Sequence, residues 1–401
     1  MVQFLPTNDE TLFSLLDRAI TNTRIRFILP DGTREIGRSA DASGEPDFIL
    51  RVTDTNFSRR ILTSGNLGLA ESWMEEGWQL ERGTLDALLT VFALSAMDER
   101  LLSDPRVLVK VAAMRVQHAF SSAHDNVQLH YDVGNDVYEL FLDETMGYTC
   151  GYQTAEGESL QKLQENKYDR ICQKVRLQPG HTVLDIGCGW GGLIIHAAKH
   201  YGAKATGITI CKNQAEWAMR RARALGLEDR VKVEFGDFRE AKGVYDRIVS
   251  VGMFEHLYQH EHRTYFKHVN KLLKDDGMGL VHFMGCVKGH NNPDPFVQKY
   301  IFPGSTHPHP SSAIRQLEKN DLALLDVENI GRHYLPTARH WWANWNANKH
   351  RIDSSKYDAR FVRMYDYLLA LYVAGCDALV GGLFQILFTK DFRKNLPVYR
   401  V

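Results

Sequence analysis

Lysine is absent from the first 109 residues of this 401-residue chain, where 11 arginines face 17 acidic residues. The remainder carries 37 basic and 32 acidic side chains, so a net charge of -1 conceals two differently charged parts. The break in composition predicts a domain boundary near Lys110, and neither charge is large enough to call for nucleic acid as a partner. Long apolar runs are missing as well. No uninterrupted run reaches the roughly 18 residues of a helical membrane span. The start, Met1-Val2-Gln3-Phe4-Leu5-Pro6, has no basic segment followed by an apolar one, so neither secretion nor membrane insertion is expected. Cysteine pairs are missing too: Cys150, Cys172, Cys188, Cys211, Cys286 and Cys376 lie scattered, without a C-x-x-C. Free thiols in a reducing cytoplasm are the expectation, and no structural zinc.

What is present is organised around Thr182-Val183-Leu184-Asp185-Ile186-Gly187-Cys188-Gly189-Trp190-Gly191-Gly192, followed by Leu193-Ile194-Ile195-His196-Ala197-Ala198. An apolar run ending in an acid, then glycines, then helical spacing reads as strand, tight turn and helix N-terminus, a nucleotide cradle. After it, strands are predicted over 205–210, 231–235, 245–251 and 277–283, alternating with helices over 213–225 and 260–273. Such alternation predicts a parallel sheet covered on both faces, with ligands at the carboxyl ends of the strands.

Ahead of the cradle, helical spacing with Asp9 as cap predicts a helix to Ile20, strands over 25–29 and 48–52, and a helix from Leu67 to Trp78. Residues 1–95 read as a small α+β domain, 96–123 as a linker helix and 124–401 as the main domain. Phe57, Leu62, Trp73, Met74 and Trp78 suit either a core or an acyl-chain pocket, core being the commoner use of large aromatics. Residues 285–312, with five prolines and with His290, His307 and His309, read as a long irregular loop; the histidines lack carboxylate or cysteine companions at ligand spacing, so no metal is expected. A strand over 322–327, a helix with Trp341, Trp342 and Trp345, a helix over 354–380 and a strand over 383–388 complete the chain.

Gly187, Gly189 and Gly192 also satisfy the dinucleotide pattern G-x-G-x-x-G, which would make the protein an NAD-dependent oxidoreductase. That reading needs an acid at the end of the second strand to hold a ribose hydroxyl, and the residues there are Gly207-Ile208-Thr209-Ile210-Cys211. Asp185 before the first glycine and Asp237 after the third strand suit the ammonium and the adenine amino group of S-adenosylmethionine. Its sulfonium favours acids and aromatic faces over phosphate-binding groups.

V-L-D-I-G-C-G-W-G-G, G-I-T-I with K-N-Q, D-R-I-V-S-V-G-M-F-E-H, H-Y-D-V-G-N-D, Y-T-C-G-Y and K-Y-I-F-P-G together resemble the cyclopropane-fatty-acyl-phospholipid synthases and the related mycolic acid cyclopropane synthases, from about Val127 to the end. The resemblance implies a Rossmann-like class I S-adenosylmethionine-dependent methyltransferase domain behind the small α+β domain. It implies that Tyr131, Tyr148 and Thr149 close over the cofactor, that Gly187, Gly189 and Trp190 form its cradle beside Asp185, that Thr209 and Gln214 meet the ribose, and that Gly236, Asp237 and Phe238 surround the adenine.

Methyl transfer to an alkene leaves a carbocation that must lose a proton as the ring closes, so the chemistry needs a dry slot with aromatic faces and a base shielded from water. The resemblance implies a bound bicarbonate as that base, at Cys150, Glu255, His282, Met284 and Tyr334. The segment His282-Phe283-Met284 departs from the family's usual H-T-I, which touches the slot's shape and the fate of the cation. The implied activity is cyclopropanation of cis double bonds in phospholipid acyl chains, with a methyl- or methylene-branched product as the alternative. The implied setting is a homodimer attached peripherally to the cytoplasmic face of the inner membrane, with the phospholipid bilayer as partner.

Overall fold

A computed structural model of the protein describes residues 7–38, 44–95, 133–288 and 293–396; the expected linker at 96–123 and Tyr131 lie outside them. The chain divides into two compact units. One comprises Met1–Tyr131, Asp294–Pro303 and Lys349–Val380, the other Asp132–Pro293, Gly304–Asn348 and Gly381–Val401. Segments 294–303 and 349–380, read from sequence as part of a continuous domain over 124–401, thus group with the N-terminal residues. Among the described residues no helix is long and apolar enough to cross a membrane.

The first unit holds a four-stranded sheet of β1 (Ile25–Leu29), β2 (Gly32–Ile36), β3 (Phe48–Val52) and β4 (Trp78–Arg82), in the order β2-β1-β3-β4. Its opening helix is Asn8–Ala19, capped by Thr7 in a reciprocal box with Glu10 and not by Asp9. The expected helix over 67–78 ends at Met74, because Glu76 adopts φ 59° and turns the chain into β4. Phe57, Leu62, Met74 and Trp78 are all buried, as core residues are. Trp73 is half-buried and carries the Arg363 guanidinium 3.9 Å from its ring. Arg363 comes from helix Ala359–Asp377, and Phe296 of helix Pro295–Tyr300 packs edge-on against Tyr367 of that helix at 5.2 Å. The proline-rich stretch 285–312 is therefore not irregular throughout: Pro295 and Pro310 stand at the first positions of helices Pro295–Tyr300 and Pro310–Glu318, where a missing N–H costs nothing.

The second unit is built on seven strands, β5 (Thr182–Ile186), β6 (Lys204–Thr209), β7 (Val231–Phe235), β8 (Tyr245–Val251), β9 (Leu273–Gly285), β10 (Ala323–Asn329) and β11 (Gly382–Thr389), in the order β10-β11-β9-β8-β5-β6-β7. Pairs β5–β6, β6–β7, β5–β8 and β8–β9 are parallel. The alternating strands read as a parallel sheet are parallel, while β11, for which no direction was read, inserts antiparallel between β9 and β10. All eight residues of β11 are buried, and burial on both faces looks the same in sequence whichever way a strand points. Two clusters seal the faces. Helices Leu160–Lys174 and Gly192–Tyr201 cover one with Ile171, Val175, Ile194 and Ala198, and helices His262–Leu272 and Pro310–Glu318 cover the other with Phe266, Val269, Ala313 and Leu317. The chain leaves β5 for β6 on one side and reaches β8 on the other, so the switch point where sheets of this type bind ligands lies at the carboxyl end of β5.

Candidate active site

The glycine turn sits at that switch point. Gly187 and Gly189 have φ 83° and 53°, and the N–H groups of Gly187 and Cys188 donate to the Ile208 carbonyl at 2.9 and 3.1 Å, tying the turn to β6. A Cβ on Gly187 would stand 2.6 Å from Cβ of Met253, so the close approach and the positive φ both demand glycine. Asp185, on β5 behind the turn, is 2% exposed, and its Oδ1 has no hydrogen-bond partner among the described residues. Burial pushes its carboxyl up to about 7, against the pull of the Lys167 ammonium. An orphaned buried carboxylate oxygen beside a glycine cradle fits the ammonium of an amino-acid-bearing nucleotide.

The other residues assigned to the cofactor fall around this turn in different states. The Thr209 hydroxyl donates to Oε1 of Gln214 at 2.9 Å, so the two act as one group at the end of β6. The Gly236 N–H donates to the Thr209 carbonyl at 3.0 Å, bringing the end of β7 alongside. Asp237 has both carboxylate oxygens engaged by the Arg239 guanidinium at 2.7 Å, a hydrogen bond that holds its carboxyl below the usual range. Phe238 is buried and packs edge-on against Tyr265. The Trp190 indole N–H donates to Asn135 Oδ1 at 2.9 Å.

Thr149 leads to a residue the sequence did not single out. Its hydroxyl accepts from Nζ of Lys167 at 2.7 Å, and the same ammonium donates to Oε1 of Gln164 at 2.5 Å. Lys167 is 1% exposed, and burial pulls its ammonium down to about 8 against the attraction of Asp143 and Asp185. Within helix Leu160–Lys174 a lysine reads as solvated surface; only the packed fold turns this one inward.

The residues assigned to an anion converge at the ends of β8 and β9. Glu255 lies in the turn Phe254–His256, whose backbone is pinned from the far loop: the Thr306 N–H donates to the Glu255 carbonyl at 2.7 Å. Oε1 of Glu255 accepts from the Met284 N–H at 3.2 Å, while Oε2 is buried without a partner among the described residues. Desolvation raises this carboxyl to about 7. His282, two residues before Met284, is 1% exposed with Nε2 unpartnered among the described residues, and burial together with Lys167 and Lys174 pushes its imidazolium pKa down to about 3. The imidazole is neutral at physiological pH. Cys150 is buried in a small cluster with Ile330 and Leu383, against which Met284 and Tyr334 pack. Its thiol donates to the Gly151 carbonyl at 3.0 Å, the behaviour of a small buried side chain.

Aromatic rings join the two groups. Trp190 stands 5.0 Å from Tyr138, Tyr138 5.3 Å from Tyr148, Tyr148 5.3 Å from Trp341, and Trp341 5.8 Å from Tyr334. Tyr138 was not named from sequence, and Trp341 was named only as one of three tryptophans on a helix. Their only sequence signal was the aromatic density of the stretches that carry them.

Residues 118–382 match the family described as mycolic acid cyclopropane synthetase. Over 363 residues the chain is 33% identical to the cyclopropane-fatty-acyl-phospholipid synthase of Escherichia coli (strain K12), covering 89% of this chain and 92% of that protein. It is 34% identical to a probable fatty acid methyltransferase of Pseudomonas putida, covering 89% and 90%. Among solved structures, the cyclopropane synthase MmaA2 of Mycobacterium tuberculosis superposes with a TM-score of 0.61 at 27% identity over 65% of this chain and 96% of that one. The mycolic acid cyclopropane synthase CmaA1 complexed with SAH and CTAB gives 0.60 at 28% identity over 66% and 96%. With a Rossmann-like methyltransferase sheet, a glycine cradle at its switch point and a match across most of its length, the chain belongs to the mycolic acid cyclopropane synthetase family.

Proposed function

We propose that this enzyme uses S-adenosylmethionine to cyclopropanate cis double bonds in phospholipid acyl chains, with a bicarbonate held at Glu255 and His282. The observation that carries the reading is the pair of buried polar atoms at neighbouring strand ends that have no partner among the described residues, Oε2 of Glu255 and Nε2 of His282. Buried polar atoms without partners cost stability unless a ligand satisfies them, and a protonated carboxyl beside a neutral imidazole suits a small oxyanion. The Glu255 carboxyl, raised to about 7, can share or donate a proton, and His282 can donate from Nε2.

Bound S-adenosylmethionine would supply an electrophilic methyl group, and bicarbonate a base that water cannot replace. Asp185, the glycine turn and the Thr209–Gln214 pair would hold the cofactor. Asp237, whose Oδ2 accepts one bond from Arg239 and keeps a further lone pair, would accept from the adenine amino group. The rings from Trp190 to Tyr334 would exclude water and face developing positive charge with their π surfaces. Cys150 and Met284 would shape the floor of the anion pocket. A location on the cytoplasmic membrane surface, a bilayer partner and a homodimer belong to the same proposal.

The test is incubation with S-adenosylmethionine and unsaturated phospholipid vesicles, followed by mass spectrometry of the acyl chains. A gain of one CH2 is expected, with proton NMR showing upfield ring methylenes. No mass gain overturns methyl transfer to lipid, and a gain without ring protons points to the branched product. Glu255→Gln and His282→Ala should each lower turnover by about 10² or more. Full activity in both removes the anion site.

A further inference from the structure

His282 has a second ring nitrogen, and what it faces decides what Nε2 can do. Glu328 on β10 pairs with Gln385 on β11, and Gln385 pairs with His282 on β9. Directly paired residues of adjacent strands point to the same face of a sheet, so the three side chains form one row. Across that row lies Lys174, 4% exposed, from the last turn of helix Leu160–Lys174.

The donors along the row can be assigned in only one direction. Arg170 donates to both oxygens of Glu328 at 2.7 and 2.8 Å, and Nζ of Lys174 donates to Oε2 at 2.5 Å. Those cations hold the Glu328 carboxyl below its usual range and so ionised. The carboxylate in turn supports a charged Lys174, and an ammonium has three donors and no acceptor. Lys174 also lies 2.8 Å from the Gln385 amide, so the atom facing it must be Oε1. The amide nitrogen of Gln385 then faces Nδ1 of His282, at 3.3 Å. An amide nitrogen only donates. Nδ1 must therefore carry a lone pair, and a neutral imidazole puts its proton on Nε2.

We propose that Lys174 and Gln385 are positioning residues that hold His282 as the Nε2–H tautomer, so that this ring presents a donor to an oxyanion bound beside Glu255. The inference rests on the anion site proposed above, but the tautomer itself depends only on the row Glu328, Lys174, Gln385 and His282. In the opposite tautomer Nε2 would turn a lone pair towards the anion and repel it. Gln385→Glu tests this directly. A carboxylate at position 385 can still accept from Lys174, but it offers His282 an acceptor in place of a donor. That arrangement draws the ring proton onto Nδ1.

The experiment is long-range proton–nitrogen NMR on the full-length protein labelled with 15N-histidine, with His282→Gln used to assign the resonances of His282 among the 17 histidines. In the wild type, Nδ1 of His282 is expected in the pyridine-like range and Nε2 in the pyrrole-like range. In Gln385→Glu, Nδ1 should move upfield to the pyrrole-like range. Turnover on dioleoylphosphatidylglycerol vesicles should fall roughly 10- to 100-fold, as when an outer hydrogen-bond partner is removed from a ligating histidine. A protonated Nδ1 in the wild type overturns the proposal. So does a Gln385→Glu protein whose Nδ1 stays unprotonated, or whose tautomer changes while turnover does not. If the tautomers are as expected and neither protein makes product, the lipid-methylation reading fails and the assignment of the row stands.

Discussion

The Met284 N–H donates to Oε1 of Glu255 across 3.2 Å, joining the end of β9 to the turn after β8, while Oε2 of the same carboxyl is buried without a partner among the described residues. One backbone donor is a small return for burying a carboxylate, which is why desolvation raises this carboxyl from 4.5 to about 7.

A pH dependence of stability follows. A raised carboxyl binds its proton more tightly in the folded chain, so its contribution is fully present below the unfolded value and is lost as pH rises through about 7. Glu255→Gln keeps an acceptor for Met284 and cannot ionise. The stability advantage of the variant over wild type should therefore grow between about pH 4.5 and 7, by on the order of 3 kcal/mol at 1.36 kcal/mol per unit. Urea unfolding of both proteins across that range measures it. Parallel curves would show that Glu255 is solvated in the folded protein.

Lys167 should govern cofactor affinity without facing the lipid. Its ammonium opposes the rise of the Asp185 carboxyl and fixes the hydroxyl of Thr149. Lys167→Met leaves Asp185 protonated to a higher pH, where it no longer attracts an ammonium. Calorimetric titration with S-adenosylhomocysteine should show about tenfold weaker binding, the loss of roughly 1.4 kcal/mol. The deficit should widen from pH 8 to pH 6, since Asp185 in the variant takes up its proton first. A deficit independent of pH would assign Lys167 a purely structural role.

The legibility of this site from sequence follows the range of the contacts. Asp185, Glu255 and His282 stand at strand ends, and alternation of strands with helices is enough to bring such positions to one edge. Lys167 and Lys174 lie on a helix whose charged residues look solvated, and their burial is decided by what packs above them. Gln385 was invisible for another reason: its pairing with His282 requires β11 to run antiparallel between β9 and β10, a direction that the residues of the strand do not encode. The grouping of Asp294–Pro303 and Lys349–Val380 with the N-terminal unit was hidden in the same way, because its contacts join residues more than 200 positions apart, as in Asn66 to Asp294 at 2.8 Å.

Gly187→Ala should abolish cofactor binding and lower stability together. The added Cβ meets Met253 at 2.6 Å, and φ 83° costs an L-residue about 1–2 kcal/mol before that clash is counted. Met253 leads into the turn that carries Glu255, so relief of the clash displaces the base side of the site as well as the cradle. Thermal unfolding with and without S-adenosylhomocysteine separates the effects: a lower melting temperature that the ligand does not raise is expected. A ligand-induced rise equal to that of wild type would mean that the turn tolerates a side chain.

The first unit offers a test of whether Trp73 serves packing or lipid. The Arg363 guanidinium lies 3.9 Å from its ring and donates to the carbonyls of Trp73 and Trp78, and the Trp73 indole N–H returns a bond to the Arg363 carbonyl at 3.0 Å. Arg363→Met keeps the apolar stem and deletes the donors, leaving the Trp73 carbonyl to the Glu76 N–H, the Trp78 carbonyl without its guanidinium donor and the ring without its cation. A loss of roughly 2–4 kcal/mol in urea unfolding is expected, with or without vesicles. If Trp73 instead served chiefly as a lipid contact, the variant would unfold within about 0.5 kcal/mol of wild type, as surface substitutions do, and its defect would appear in vesicle binding. The two outcomes exclude each other, because the groups that would reach a lipid are the ones Arg363 already holds against the helix.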